Sequence, residues 1–246
     1  MSVFALPKEP VFPDPAHADE DGLLAVGGDL SPQRLLTAYG QGIFPWYGEN
    51  APILWWSPDP RLVLEPAHIH VPRRLERILR QKRFECTLDT AFEQVITRCA
   101  RTARRGARGT WIVPEMLAAY CRLHELGFAH SIEAWSGSEL VGGLYGVALG
   151  GAFFGESMFY SESDASKVAL VTLVRALDQR GFILFDCQQT TAHMVRFGGF
   201  EVPRVAFLSR LRGALELPLL RGAWGLRNGS LICPRPEENP MEPHDD

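Results

Sequence analysis

The spacing of hydrophobic and polar residues changes along the chain, and these changes predict the order of its helices and strands. Over residues 1–66, short apolar runs are interrupted by Pro, Gly and Asp, which predicts a small module of loops with one helix at 32–40. Farther on, the spacing of apolar residues predicts mainly helices first and strands afterwards. The predicted helices cover 72–82, 90–103 and 114–126, and the predicted strands cover 84–88, 129–135, 139–148 and 151–156.

The second half of the chain predicts a crossover between two strands. A long apolar helix at 165–180 begins near Ser163 or Asp164, and a short apolar strand follows at 182–187. A further helix at about 190–197 ends at two glycines. Together with the preceding meander of strands, this pattern predicts an α/β (α+β) fold around one central, mostly antiparallel sheet.

The same pattern divides the chain into three parts. Residues 1–66 form the predicted N-terminal domain, and residues 67–233 form the predicted main domain. Residues 234–246 are rich in Pro and acidic residues, and we expect them to be disordered because they have little apolar surface to bury.

Composition narrows the class of protein. Of the 246 residues, 46% are hydrophobic and 22% are charged, which is typical of a globular chain. The five cysteines are odd in number and contain no CxxC pair, so we expect neither a disulfide framework nor a metal site. The sequence also predicts no secretion signal and no membrane-spanning segment, and we expect a monomer in the cytoplasm.

Charge is distributed unevenly, which changes what the net value of −4 implies. Residues 71–108 hold eleven Lys and Arg against four Asp and Glu, whereas the last thirteen residues are acidic. A basic block on an otherwise neutral body is typical of a surface that contacts phosphates, and a solvated helix face is the alternative that stays open. The candidates for contact with a nucleic-acid backbone are Arg73, Arg74, Arg77, Arg80, Lys82 and Arg83.

Six short motifs, taken in order along the chain, carry a family resemblance. They are LLAVGGDLSP at 23–32, FPW at 44–46, WWSPDPR at 55–61, GTWI at 109–112, GESMF at 155–159 and DCQ at 186–188. Any one of them could occur by chance. The ordered set resembles the leucyl/phenylalanyl-tRNA–protein transferases over nearly the whole chain.

This resemblance implies a fold and a reaction. The implied fold is a small N-terminal domain followed by a domain like that of the N-acetyltransferases, the GNAT fold. The implied reaction moves Leu, Phe or Met from aminoacyl-tRNA to proteins that begin with Lys or Arg, which marks them for degradation by the N-end rule. The family implies no metal and no dissociable cofactor.

The chemistry of such a transfer determines what the enzyme must provide. The α-amino group of the acceptor attacks the ester carbonyl that joins the amino acid to the terminal ribose, and the activated ester makes a covalent enzyme intermediate unnecessary. An α-amine has a pKa of about 8 in water, so a useful fraction is neutral near pH 7. Positioning and modest proton handling could supply most of the acceleration.

Two tryptophans and a glutamate are the candidates for binding the terminal adenosine. The resemblance assigns Trp46 and Trp111 to stacking on the adenine, and ordinary core packing is the alternative for both. Glu156 has apolar neighbours, so it needs a partner if it is buried. The resemblance directs Glu156 to the ribose or the base, and a structural hydrogen bond to nearby backbone is the other interpretation.

Asp186 and Gln188, together with Glu156, are the candidates for catalysis. Two residues apart on an extended strand, Asp186 and Gln188 should point to the same side. Asp186 can hold a cationic amine or orient Gln188. We expect Gln188 to accept a hydrogen bond from the attacking amine and Asp186 to hold the developing ammonium charge, with a capping pair at a strand end as the alternative. By the same alternation, Cys187 should face the opposite, apolar side, which argues against a catalytic thiol.

The donor side chain needs an apolar pocket. Three of the candidates share one face of the predicted long helix, a spacing that any core helix also shows. The family has bulkier aromatic residues at the positions of Leu173 and Leu177, so this pocket could be larger or differ in its preference. The candidates are Leu144, Met158, Leu170, Leu173 and Leu177.

Two other functions compete with this interpretation. An acyl-CoA-dependent N-acetyltransferase would share the fold, but its pyrophosphate needs a Q/R-x-x-G-x-G/A loop that the sequence lacks. A non-catalytic RNA-binding protein would need only the basic block, and it would tolerate the substitution Asp186→Ala.

Overall fold

The computed structural model describes residues 3–102 and 112–233, and these residues form two main sheets with helices packed around them. Their α-helices are α1 (Pro32–Gly40), α2 (Arg73–Arg80), α3 (Phe92–Arg101), α4 (Pro114–Glu125), α5 (Ala165–Asp178), α6 (Ala192–Val195) and α7 (Arg204–Leu215). Their strands are β1 (Phe4–Ala5), β2 (Leu23–Val26), β3 (Phe44–Pro45), β4 (Leu54–Trp56), β5 (Arg61–Leu64), β6 (Glu85–Leu88), β7 (Ala129–Ser136), β8 (Glu139–Leu149), β9 (Ala152–Tyr160), β10 (Leu184–Gln188), β11 (Phe200–Val202), β12 (Gly225–Arg227) and β13 (Ser230–Ile232).

The smaller sheet, in the order β1-β2-β4-β3, is built from the N-terminal residues together with α1. Helix α1 begins where the Ser31 hydroxyl accepts the N–H of Arg34, and proline suits the first helical position because no N–H partner is needed there. The buried face of α1 includes Tyr39, and Trp46 follows directly after β3. This module therefore brings two aromatic side chains to its border with the larger sheet.

The larger sheet has seven strands in the order β11-β5-β10-β9-β8-β7-β6. Neighbouring strands are antiparallel except for β9 and β10, which run parallel because α5 crosses over between them. These two strands pair only as far as Phe154 and Asp186, although both continue beyond that point. The strands thus separate at their C-terminal ends, where open α/β sheets commonly bind ligands.

Apolar side chains cover both faces of the larger sheet. Helix α5 packs on one face, and ten of its fourteen residues are buried, which explains its largely apolar sequence. Helices α3, α4 and α7 contribute to the core on the other face. Neighbouring residues such as Phe153 and Phe154 of β9 belong to opposite cores, as the alternation of a strand requires.

The predicted fold class is confirmed, because one mixed and mostly antiparallel sheet organises an α/β chain. Each helix and strand predicted between residues 72 and 188 overlaps an observed element. Helix α7 is not predicted: Phe207, Leu211 and Ala214 form its buried face, but apolar Val205 is exposed on the opposite side, which weakens the amphipathic pattern. Strand β5, which the sequence groups with the first module, pairs with β10 and β11 in the larger sheet.

Within residues 3–102 and 112–233, every helix is too short or too polar to cross a membrane. The tail from residue 234 onward and Trp111 lie outside the described residues.

Candidate active site

A cavity of about 410 Å³ lies where β9 and β10 separate, bordered by the residues after β3 and by helices α5 and α6. Its size is typical of a pocket for a small ligand or for the end of a larger one. Three of the proposed polar and aromatic residues line it, namely Trp46, Glu156 and Gln188. Its apolar lining includes three of the five candidates for the donor pocket, Leu144, Met158 and Leu170.

Glu156 is the carboxylate that faces this cavity. Its oxygens accept hydrogen bonds from the hydroxyls of Tyr39, at 2.7 Å, and Tyr120, at 3.2 Å. Burial raises the pKa of Glu156 to about 7, against the opposing effect of these hydrogen bonds and of one from Gln188. A carboxyl with this pKa can change its charge near neutral pH.

The two tyrosines form the floor beneath Glu156. Tyr39 comes from α1 and Tyr120 from α4, and their hydroxyls also contact each other. Burial, and the nearby Glu156 charge, raise the pKa of both phenols well above their usual value. Both tyrosines therefore remain protonated donors over the physiological range of pH.

Gln188 faces Glu156 across the gap between the strands. Its side-chain Nε2 donates to Glu156 Oε1 at 2.7 Å, which leaves its Oε1 as the amide atom able to accept a hydrogen bond from a substrate. Its backbone N–H donates to Asp186 Oδ1 at 2.8 Å, and its φ of 62° lies in the left-handed region. The orientation of the Gln188 amide is thus determined from both sides.

A bulge in β10 places Asp186 and Gln188 on different faces of the sheet. Asp186 pairs with Val63 and Gln188 pairs with the next residue, Leu62, so Cys187 is an extra residue in the strand. An extra residue reverses the alternation of side chains beyond it. The prediction that Asp186 and Gln188 point to the same side was therefore wrong, and Cys187 lines the cavity instead of facing away from it.

Cys187 does not gain reactivity from this position. Burial and the neighbouring carboxylate of Asp186 raise the pKa of its thiol well above the usual value, so the thiolate is disfavoured at neutral pH. The expectation that Cys187 is not a nucleophile stays a prediction, now on the grounds of its environment.

Asp186 lies beneath the cavity and is fully buried. Its two oxygens accept from Nε and Nη2 of Arg61 at 2.9 and 2.7 Å, a paired arrangement between two side chains that have almost no contact with water. The Arg61 guanidinium is in turn sandwiched between the rings of Phe44 and Phe207. Asp186 is thus already neutralised by a protein cation, which argues against the predicted role of binding the substrate ammonium.

Leu173 and Leu177 do not belong to the cavity, which corrects their assignment to the donor pocket. Both are buried in the core against the larger sheet. They lie about one and two turns beyond Leu170 on α5, and each turn carries a residue roughly 5 Å farther along the axis. Only the N-terminal part of the helix face reaches the gap between β9 and β10.

Trp46 is the candidate for stacking that lies at the cavity. Trp46 is 38% exposed at the cavity, and its ring meets that of Trp56 edge to face. The backbone oxygen of Trp46 accepts from Nε1 of Trp56 at 2.6 Å, which anchors the segment after β3. An exposed indole held in this way can stack on a base. Its proposed partner, Trp111, lies outside the described residues.

Several residues of this site are not predicted from the sequence. Tyr39 and Tyr120 lie in predicted helices, and Arg61 ends the motif at 55–61 in a segment predicted to be a loop; the partners of all three are distant in the chain. His193 and Met194 line the cavity from α6. Within the described ranges, no group of three His, Cys, Asp or Glu side chains is placed to hold a metal ion.

The basic candidates lie on and after α2, and all six are exposed. Arg74 pairs with Asp164 and Arg83 pairs with Glu162, both at 3.2 Å. These carboxylates reduce the positive charge that the two residues offer to a ligand. The remaining members of the set, Arg73, Arg77, Arg80 and Lys82, have none of the salt bridges found among the described residues.

Comparison with known proteins places this geometry in a family. The model of the leucyl/phenylalanyl-tRNA protein transferase family matches residues 63–212, and the model of its N-terminal domain matches residues 28–59. A leucyl/phenylalanyl-tRNA–protein transferase of Anaeromyxobacter sp. (strain Fw109-5) is 62% identical over 93% of this chain and 97% of that relative. One of Nitratidesulfovibrio vulgaris (strain DP4) is 61% identical over 92% of this chain and 97% of that relative.

Similarity to solved structures is much weaker. A functionally unknown conserved protein from Staphylococcus epidermidis has a TM-score of 0.42 at 10% identity, covering 74% of this chain and 68% of that one. A GCN5-related N-acetyltransferase from Kribbella flavida has a TM-score of 0.36, also at 10% identity, covering 70% of this chain and 61% of that one. The family is established by sequence: the chain belongs to the leucyl/phenylalanyl-tRNA–protein transferases.

Proposed function

We propose that this protein transfers Leu, Phe or Met from aminoacyl-tRNA to the N-terminus of proteins that begin with Lys or Arg, and that it does so as a monomer in the cytoplasm. The observation that carries the proposal is the convergence of Trp46, Glu156 and Gln188 on one cavity with an apolar end, in a chain of this family. Its relatives carry the name of the aminoacyl transferase, which supports this function over an acetyl-CoA-dependent one.

The donor would bind with its two ends in different parts of the site. The terminal adenine stacks on Trp46, and on Trp111 as the family resemblance implies, at about 1–3 kcal/mol for each stacked base. The donor side chain enters the apolar end near Leu144, Met158 and Leu170. The exposed arginines of α2 bind the phosphates of the tRNA body.

The acceptor would bind on the side of Gln188. Its α-amine donates a hydrogen bond to Gln188 Oε1, since Nε2 of that amide is already engaged with Glu156. Attack on the ester carbonyl forms the new C–N bond and then breaks the bond to the ribose oxygen, and the proton released by the amine ends on that oxygen. Among the candidates, Glu156 is the carboxylate that lines the cavity, so we assign it the developing ammonium charge.

Asp186 takes a supporting role in this scheme. Its carboxylate holds the backbone of Gln188 and the guanidinium of Arg61, and it has no contact with the cavity. It acts on the reaction through the position of Gln188, as a positioning residue.

The test is transfer of labelled Leu from charged tRNA to a peptide that begins with Arg, followed by capture of the peptide. We expect transfer that depends on tRNA, with no transfer to the same peptide carrying an acetylated N-terminus. Acetylation of the peptide from acetyl-CoA, without transfer from tRNA by the folded protein, would instead support the N-acetyltransferase. Binding of tRNA with neither activity would support the RNA-binding alternative.

A further inference from the structure

One carboxylate near the cavity remains unused by this mechanism. Glu201 lies on the edge strand β11, opposite Leu62 of β5, and Leu62 is in turn opposite Gln188 of β10. Residues directly opposite one another on neighbouring strands project to the same face of a sheet. Gln188 and Glu201 therefore share a face and are two strand spacings apart, which is roughly 10 Å between their backbones.

The loop after β10 connects this carboxylate to the cavity. Gln189 and Thr191 line the cavity, and the hydroxyl of the intervening Thr190 donates to Glu201 Oε1 at 2.5 Å. This bond uses one oxygen of Glu201 and holds the carboxylate at the rim beside the loop. The second oxygen faces an exposed surface, since both residues are exposed to solvent.

Glu201 differs from the other acids nearby in having no cation. Asp186 is paired with Arg61, Glu65 is paired with Arg210, and Glu156 accepts three hydrogen bonds inside the cavity. Among residues 3–102 and 112–233, no salt bridge includes Glu201. A negative charge fixed at the rim of the acceptor side is thus available to a positive group of a ligand.

We propose that Glu201 binds the positively charged side chain of the acceptor's N-terminal residue while the α-amine of that residue lies at Gln188 Oε1. The inference rests on the proposed aminoacyl transfer and adds the residue that selects its acceptor. Lys carries its charge at the end of a flexible four-carbon stem, and Arg presents a planar fork that matches a carboxylate. Both side chains can span from Gln188 towards β11, whereas a short side chain would leave Glu201 without a partner.

The experiment compares two peptides that differ only in their first residue, Arg in one and citrulline in the other. Citrulline has nearly the same shape as Arg and no charge, so the ratio of kcat/KM for the two peptides reports recognition of charge alone. We expect the wild type to prefer Arg, and Glu201→Gln to reduce the ratio about fivefold, the size expected of one partly screened ion pair. Gln can still accept from Thr190, so the loop should keep its position.

Two control variants separate this effect from a general loss of negative charge. Glu139→Gln changes an exposed acid at the first residue of β8, and it should leave the ratio unchanged. Glu115→Gln changes an exposed acid at the start of α4, on the side of Tyr47. If Glu115→Gln, and not Glu201→Gln, abolished the preference for Arg, the proposed position of the acceptor side chain would be overturned.

The outcomes distinguish this inference from the function on which it rests. A wild type that transfers Leu to neither peptide would contradict the proposed function itself. A wild type that transfers Leu and prefers Arg, together with a Glu201→Gln variant of unchanged ratio, would contradict only the role of Glu201. The ratio of the wild type should also fall with increasing salt, because an exposed ion pair is screened, and it should become insensitive to salt in Glu201→Gln.

Discussion

At the scale of single residues, the ionisation of Glu156 determines how the proposed transfer depends on pH. Its pKa is about 7 because burial disfavours the carboxylate more than three hydrogen bonds favour it. The anion is therefore present above about pH 7 and is lost as the pH falls. The acceptor amine has a pKa of about 8, so it too becomes protonated as the pH falls, and the protonated amine cannot attack the ester.

We expect two protonations to depress the rate at low pH. Between pH 5.5 and 6.5 the logarithm of kcat/KM should rise with a slope of about two in the wild type and about one in Glu156→Gln. At pH 8 the variant should be slower by about a hundredfold, as expected for loss of a group that handles a proton. The measurement is single-turnover transfer from pH 5.5 to 8, with Glu139→Gln as a control. An equal slope in wild type and Glu156→Gln would contradict the proposed role of Glu156.

The buried pair of Arg61 and Asp186 leads to a prediction about stability. Asp186→Asn preserves an acceptor for the N–H of Gln188 but leaves the Arg61 charge buried without a counter-charge. The free energy of unfolding should fall by about 3–5 kcal/mol. Adding Arg61→Met removes the unpaired charge, and the double variant should regain most of that loss.

Urea denaturation of the wild type, the two single variants and the double variant tests this coupling. Additive losses in the double variant would show that the two side chains do not act as a pair. The same result bears on activity assays, because a loss of transfer in Asp186→Ala could come from lost stability. Glu156→Gln is therefore the sharper test of catalysis.

At the scale of elements, α2 is a helix whose outer face is positive. Its buried residues, Leu75 and Ile78, anchor it to the core, and its arginines project to solvent. Neutralising Arg73, Arg77 and Arg80 together should weaken tRNA binding. It should also reduce the slope of log affinity against log salt by about 2–3, since each phosphate contact contributes about 0.7–0.9.

A matched control for this prediction is available on another helix. Arg122 is exposed on α4 and paired with Glu125, so Arg122→Ala should leave the salt slope unchanged. Arg74→Ala should have a smaller effect than Arg77→Ala, because Asp164 partly neutralises Arg74. Filter binding at several salt concentrations measures both slopes. An unchanged slope in the triple variant would mean that α2 has only a solvated face.

Strand β10 shows how one element can determine the site. A single extra residue at Cys187 turns Asp186 to the core and Gln188 to the cavity. On the neighbouring β9, glycine at 155 permits close approach, since a Cβ there would lie 2.8 Å from the ring of Phe185. These two local features bring Gln188 and Glu156 within hydrogen-bonding distance across strands that are separating.

At the scale of the whole molecule, the carboxylate that we propose for catalysis depends on both sheets. Tyr39 reaches Glu156 from α1, beside the smaller sheet, and its hydrogen bond lowers the pKa of Glu156. In Tyr39→Phe that stabilisation of the anion is lost, so the pKa of Glu156 should rise further. The acidic limb of the pH–rate profile should therefore move to higher pH.

Tyr47→Phe is the control for this prediction. The Tyr47 hydroxyl is buried and has no hydrogen-bond partner within the described residues, so its removal should leave the profile in place. The two variants are compared by single-turnover transfer between pH 5.5 and 9. A shift of equal size in both variants would indicate a general loosening of the site.

The sequence by itself determined the order of most elements, the family and six of the residues that line the cavity. Apolar periodicity predicts helices such as α5 and strands such as β8, because burial of one face depends on local spacing. The motifs at 155–159 and 186–188 identify Glu156 and Gln188 before any coordinates are known. These features are local, so they can be recognised from neighbouring residues alone.

The tertiary structure alone decided which acid faces the cavity and which is buried in an ion pair. Arg61 and Asp186 are 125 residues apart in the chain, and their pairing depends on the register of β5 against β10. The bulge at Cys187 and the reach of α5 toward the cavity, which excludes Leu173 and Leu177, likewise depend on how strands and helices pack. Strand register and helix position come from contacts between distant segments, and local alternation cannot reveal them.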